Sequence, residues 1–266
     1  VVDTNEQRLQ AAAQRTHNLD LQGAARKVTG LRRDLNGICK TLWGQEAGES
    51  HDDLAMLVGN HTFRALLGGS LTTPDHADFA VTDLDIRWLG SMNWGTAVSH
   101  QMTGQWPAAP QQSWLASIHT NNNGRLAVST TGSNIVNTEH TDAAYPFRGG
   151  KAYWVRQTFD NRTTDRICNY YWHPAQDAMP TNWIELGDGT VDSGTATPFA
   201  STGVVGAFWG GFGSDPKSRF YAAEVRSSIG GTVICNPDVR NLAAGTTSFQ
   251  DGTGKTWTVG GFGSII

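Results

Sequence analysis

Charge is scarce in this sequence. Asp, Glu, Lys and Arg make up 17% of its 266 residues, against the usual quarter or so. Twenty Lys and Arg stand against 24 Asp and Glu, a formal net charge of -4. That excludes a whole-chain basic footprint for nucleic acid. No run of 18 apolar residues occurs, so no helix is expected to insert into a membrane. Cys39, Cys168 and Cys235 are an odd, widely spaced set without a C-x-x-C. They read as free or buried thiols, although a Cys168–Cys235 bridge stays open because both sit in strand-like runs. There is neither a signal peptide nor an initiator Met, so Val1 reads as a processed end or the start of a trimmed chain.

Catalytic motifs are missing as well. There are six Glu, and none lies two or four residues from another acid on a predicted strand. Glycan cleavage needs two carboxylates flanking the scissile bond, and the E-x-D-x-E strand of laminarinase-like sandwiches is absent. Asp83-Leu84-Asp85 is the nearest imitation, and Asp83 reads better as a strand or turn cap. There is no G-x-S-x-G elbow and no H-E-x-x-H. His51-Asp52-Asp53 reads as a solvated helix start. Gly254-Lys255-Thr256 resembles the end of a phosphate loop, but Phe249 stands where its first Gly belongs. A strand and turn follow instead of the helix that would bind phosphate.

What is present divides near Gly68-Gly69. Ten Trp and ten Phe within 38% hydrophobic residues exclude a disordered chain. Residues 1–69 are rich in helix formers. From Leu21 they repeat every seven residues as LQGAARK, VTGLRRD, LNGICKT and LWGQEAG. Leu21, Val28, Leu35 and Leu42 take one seam position, and Ala24, Leu31 and Ile38 the other, as in a coiled coil. The third position is always glycine, at Gly23, Gly30, Gly37 and Gly44. Each costs about 1 kcal/mol in a helix, which implies close approach of another backbone or a helix that forms only on association. The segment reads as an attachment and oligomerisation element.

From Ser70 the hydrophobic period becomes two. The predicted strands are Asp83–Leu89, Trp114–Thr120, Arg125–Thr130, Lys151–Phe159, Arg166–Trp172, Asn182–Leu186, Val204–Trp209, Arg219–Arg226, Thr232–Cys235 and Thr256–Val259. Turn residues separate them, among them Asn122-Asn123-Gly124 and Asp251-Gly252. Many short strands with no helical pattern between them predict a mainly β, two-sheet sandwich or jelly roll over 70–266. Trp88, Trp114, Trp154 and Trp183 lie in strand-like runs and read as core. Aromatics in polar loops suit sugars, which stack C–H faces on rings while polar side chains bond the hydroxyls. On that ground Trp106, Asn122, Trp209, Phe212 and Asp215 are the candidate glycan contacts. No catalytic or metal-ligating residue is assigned.

Several runs carry a resemblance. They are Phe220–Arg226, Ile229–Val233, Asn236-Pro237-Asp238, Ala244–Phe249 and Asp251–Val259, preceded by Thr73–Ala77, Leu84–Arg87 and Lys151–Arg156. Over about 70–266 the chain resembles minor tail proteins of actinobacteriophages, of the mycobacteriophage type, which carry a concanavalin A-like, laminin-G-like lectin domain. The resemblance implies a non-enzymatic jelly roll outside a virion tail tip or fibre, facing host cell-envelope glycan. By the usual symmetry of phage fibres, it also implies a homotrimer assembled with other phage tail proteins. It carries over framework residues and no binding residue. Glu224 and Arg226 would share one sheet face. No cofactor is expected, and Ca²⁺ stays open because lectins of this general shape sometimes hold one. The two other readings are a structural assembly domain that binds no sugar and an envelope-degrading hydrolase.

Overall fold

The computed structural model describes residues 66–67, 69–91, 100–119, 122–147, 151–162, 164–203, 205–208, 219–261 and 263–266, without the side chains of 67, 100, 137–143 and 206–208. The chain divides into two units, Val1–Ser50 and His51–Ile266, and all described residues belong to the second. The heptad seam Leu21, Ala24, Val28, Leu31, Leu35, Ile38 and Leu42 lies outside the described residues, as do Trp209, Phe212 and Asp215.

In chain order the strands are β1 Leu66–Leu67, β2 Ser70–Thr73, β3 Leu84–Ser91, β4 His100–Gln105, β5 Trp114–Ile118 and β6 Asn123–Ser129. Then come β7 Ile135–Ala144, β8 Ala152–Asn161, β9 Asp165–Pro174, β10 Ile184–Glu185, β11 Thr190–Ser193 and β12 Val205–Phe208. The last are β13 Arg219–Arg226, β14 Val233–Cys235, β15 Ser248–Gln250, β16 Thr256–Gly260 and β17 Ser264–Ile265. Each predicted strand overlaps one of these.

Two antiparallel sheets result. The first runs β10-β9-β8-β3-β13-β1-β17, with β11 also on β9 and β14 also on β13; the second runs β15-β16-β2-β12-β4-β5-β6-β7. The sandwich takes in Leu66, four residues ahead of Ser70: it is fully buried and pairs with Phe220 and Ile265.

Alternation along the strands sorts two hydrophobic clusters. Leu84, Ile86 and Trp88 of β3 and Val155 and Phe159 of β8 point inward, where Trp114, Trp257 and Leu126 of the second sheet meet them. Leu89, Trp154, Tyr221 and Ala222 form a smaller cluster on the opposite face of the first sheet, joined by Ala175, Met179 and Trp183 from the 174–183 loop. A bulge between Phe220 and Ala222 keeps Phe220, Ala223 and Val225 all facing inward, although strict alternation would split them.

Trp183 corrects a sequence reading. It lies off the inter-sheet core and is only partly buried. Trp154 is buried, but in the outer cluster, with Nε1 donating to the Gln176 carbonyl at 2.9 Å. Cys168 and Cys235 are both buried in the inter-sheet core and are not bridged to one another. Burial also pushes the Cys235 thiol well above its ordinary range, so it is a core residue and not a reactive one.

Candidate functional site

The outer face of the first sheet carries an unusual cross-strand row. Register places Glu185 opposite Tyr171, Tyr171 opposite Arg156, Arg156 opposite Arg87, and Arg87 opposite Glu224. Five strands thus contribute one residue each to a line of charge and aromatic surface. Side chains directly opposite in antiparallel pairs are close enough to interact.

Asp85 anchors this row from below. Its side chain is fully buried. Arg87 donates to it through Nε at 3.1 Å and Nη2 at 2.7 Å. Arg156 does the same through Nε at 2.8 Å and Nη2 at 3.0 Å. The Gly230 amide adds a contact at 3.3 Å. Burial would raise the carboxyl, but the hydrogen bonds and charges of the two arginines outweigh it and hold its pKa below the ordinary 3.8. Arg87 also donates to Glu224 at 3.2 Å, and Arg226 donates to Glu224 at 2.6 Å. Glu224 and Arg226 therefore do share one face.

Arg156 carries the aromatic part. Its guanidinium lies 5.0 Å from the Tyr171 ring centroid and 5.9 Å from that of Trp183, within the range of cation–π attraction. Both rings are partly buried. They form a partly exposed aromatic platform, with the Arg156 guanidinium against both rings and exposed Glu185 beside it. Burial, and then the Glu185 charge, raise the pKa of the Tyr171 hydroxyl, so it remains a neutral donor and acceptor. The arrangement can stack an apolar ring face and hydrogen-bond groups around its rim.

Of the candidate glycan contacts, the described residues include only Trp106 and Asn122, and these two lie apart. Trp106 follows Gln105, which pairs with Trp114 at one end of β5, whereas Asn122 precedes the Gly124–Ile118 pair at the other end. Trp106 is partly buried in a loop tied to 201–203, where Gln111 accepts from Thr202 N at 3.0 Å and Oγ1 at 2.8 Å. Asn122 takes a left-handed φ of 62°. Its backbone accepts from Tyr145 N at 2.9 Å and its amide donates to Tyr145 O at 3.4 Å, which makes it a turn residue. No group of three or more His, Cys, Asp or Glu that could hold a metal occurs among the described residues. Asp83 caps β8, accepting from Asn161 N at 2.8 Å.

The sequence missed the platform because Trp183 sits in a short alternating run and Tyr171 inside a long one. The signal that could have found it is Tyr171-Trp172-His173. Only Trp172 can face the core there, which leaves Tyr171 on the outside.

The fold defines a two-sheet antiparallel β-sandwich. It is similar to a Bacteroides ovatus protein provisionally described as carbohydrate-binding: TM-score 0.50, 11% identity, 77% of this chain covered. The chain spans 60% of that protein's length. Looser likenesses are the CBM40 of Ruminococcus gnavus IT-sialidase, solved with α2,3-sialyllactose (TM-score 0.36, 12% identity, 61% of this chain and 90% of that one), and the binding domain of botulinum neurotoxin DC, solved with SialylT (TM-score 0.39, 10% identity, 61% and 38%). At those scores the likeness extends to neither a site nor a ligand. No protein-family model and no curated protein matches the sequence.

Proposed function

We propose that this chain is a non-enzymatic, lectin-like protein of a virion tail tip or fibre, and that its sandwich binds host cell-envelope glycan. The observation that carries the sugar part is the platform, with Trp183 and Tyr171 flanking Arg156 on an outer sheet face. The lectin-type sandwich and the described carbohydrate binding of the Bacteroides ovatus neighbour support it. The tail assignment rests on the sequence resemblance over 70–266. In this reading the heptad segment attaches the protein and trimerises it. Three weak sites on one stalk would then raise avidity by roughly 10²–10⁴ where geometry permits joint engagement. A non-enzymatic role agrees with the chemistry of Asp85. A carboxyl chelated by two arginines stays ionised and cannot serve as the general acid of glycan cleavage.

The test is glycan-array binding by the full chain and by Trp183→Ala and Tyr171→Ala, with folding checked by near-UV circular dichroism. Each variant is expected to weaken binding about tenfold, the loss of one stacked ring. Trp106→Ala, in the loop after β4 of the second sheet, should leave binding unchanged. Binding that ignores the platform variants and follows Trp106 would move the site. No binding to any envelope glycan would make the sandwich a structural part of the tail.

A further inference from the structure

Resting on the glycan reading above, we infer that the Trp183 platform takes a neutral sugar and discriminates against a carboxylated one. Three arginines on one face look at first like a site for an acidic ligand, but their charges are already spent. Asp85 occupies Arg87 and Arg156 together. Glu224 bridges Arg87 and Arg226, and Arg226 also donates to the Gly231 carbonyl at 2.9 Å. Glu185 closes the row beyond Tyr171, exposed and with no cationic partner among the described residues. Arg87, Arg156 and Arg226 thus face Asp85, Glu224 and Glu185, and the row has no surplus positive charge.

A ligand carboxylate would have to break the double chelation of buried Asp85, or sit uncompensated beside Glu185. Either course costs more than it returns, because a buried charge that loses its partner is strongly unfavourable and like charges repel. A neutral pyranose meets neither obstacle. Arg156 commits Nε and Nη2 to Asp85, and its Nη1 has no acceptor among the described residues. A sugar hydroxyl can accept from Nη1, another can donate to the Glu185 carboxylate, and the C–H face can lie on the two rings. Charge balance, and not shape, then sets the ligand class.

The test compares neutral oligosaccharides, lactosides and hexosans, with their sialylated and uronic-acid counterparts. Full-length protein would be titrated at low and high salt. The expected result is binding of neutral sugars that changes little with salt, weaker or absent binding of the carboxylated forms, and a loss of about tenfold in Trp183→Ala. Glu185→Lys changes an exposed residue and gives the row a surplus cation. It should shift preference toward the carboxylated counterparts, with affinity that falls as salt rises. Tighter binding of carboxylated sugars by the unaltered protein, weakened by salt, would overturn the inference while leaving the glycan reading intact. Absence of binding to either class would remove that reading itself, and the inference with it.

Discussion

At the residue scale, Asp251 holds more of the molecule than its place in a turn suggests. Its carboxylate accepts from Asn236 N at 2.9 Å, Thr253 N at 2.8 Å, Thr253 Oγ1 at 2.7 Å, Lys255 N at 3.1 Å and Trp257 Nε1 at 2.9 Å. One side chain thus satisfies the β15–β16 hairpin, the chain after β14 and a tryptophan of the inter-sheet core. Asp251→Ala leaves several of these donors unpaired and should cost about 3 kcal/mol, a fall in Tm of roughly 6–12 °C for a domain of this size. Thermal melts check it, and a change within error would mean that water replaces the carboxylate. The sequence showed Asp251-Gly252 as a turn but not its reach, because Asn236 and Trp257 come to it only through the fold. A similar gap explains the Asn122-Asn123-Gly124 tip. Asn122 takes the left-handed conformation there. Gly124 lies in β6, where a Cβ would come within 2.4 Å of the Tyr170 ring, so the glycine serves packing between the sheets. Trp183 was misread because alternation reports which side a residue faces, while the 174–183 loop decides how far the outer side is covered.

At the element scale, β3, β8 and β13 read cleanly in the sequence because each buries alternate apolar residues in the same core. Strands such as Ser70–Thr73 and His100–Gln105 did not, since they are polar or glycine-containing and gain order from neighbours on both edges. Their placement is tertiary information. The row on the outer face of the first sheet depends on the same registers, and Asp85 fixes it. Asp85→Asn leaves Arg87 and Arg156 without their shared anion and should cost about 3–5 kcal/mol, with loss of sugar binding as Arg156 swings away from the two rings. Acid gives an independent readout. Asp85 and Asp251 have folded pKa values below the ordinary 3.8 of the unfolded chain: burial raises each, and arginines at Asp85 and hydrogen-bond donors at Asp251 outweigh it. The unfolded state therefore binds more protons near and below that pH. Their stabilisation is complete above 3.8 and is lost as the pH falls through the folded values. Urea titrations from neutral pH downward should show stability dropping below about pH 4, and the drop should be shallower in Asp85→Asn. Parallel profiles would mean that Asp85 is not the group that titrates.

At the scale of the whole molecule, the sandwich closes with a strand that the composition shift near Gly68-Gly69 assigned to the helical segment. Two residues, Leu66 and Leu67, lie between β13 and β17 and hydrogen-bond to both. A pair of leucines followed by two glycines carries no period of its own, so nothing local distinguishes it from the end of a helix. Removing it strips Leu66 from the core and leaves Phe220 and Ile265, both buried, without their neighbour. Burial of one leucine is worth about 1.5–3 kcal/mol, and the lost ladder adds to that, since β17 then has no strand to pair with. A fragment of residues 51–266, which keeps β1, should therefore melt at the temperature of the full chain. One of residues 70–266 should melt lower by roughly 5–15 °C and expose the C-terminal strand to proteolysis. Both lack the heptads, so light scattering on the pair separates two roles of the N-terminal quarter. If the trimer proposal holds, both fragments are monomeric while the full chain is not, and only the shorter one is destabilised. If the shorter fragment melts with the longer, β1 is an ornament on the sheet, and the sandwich begins at Ser70.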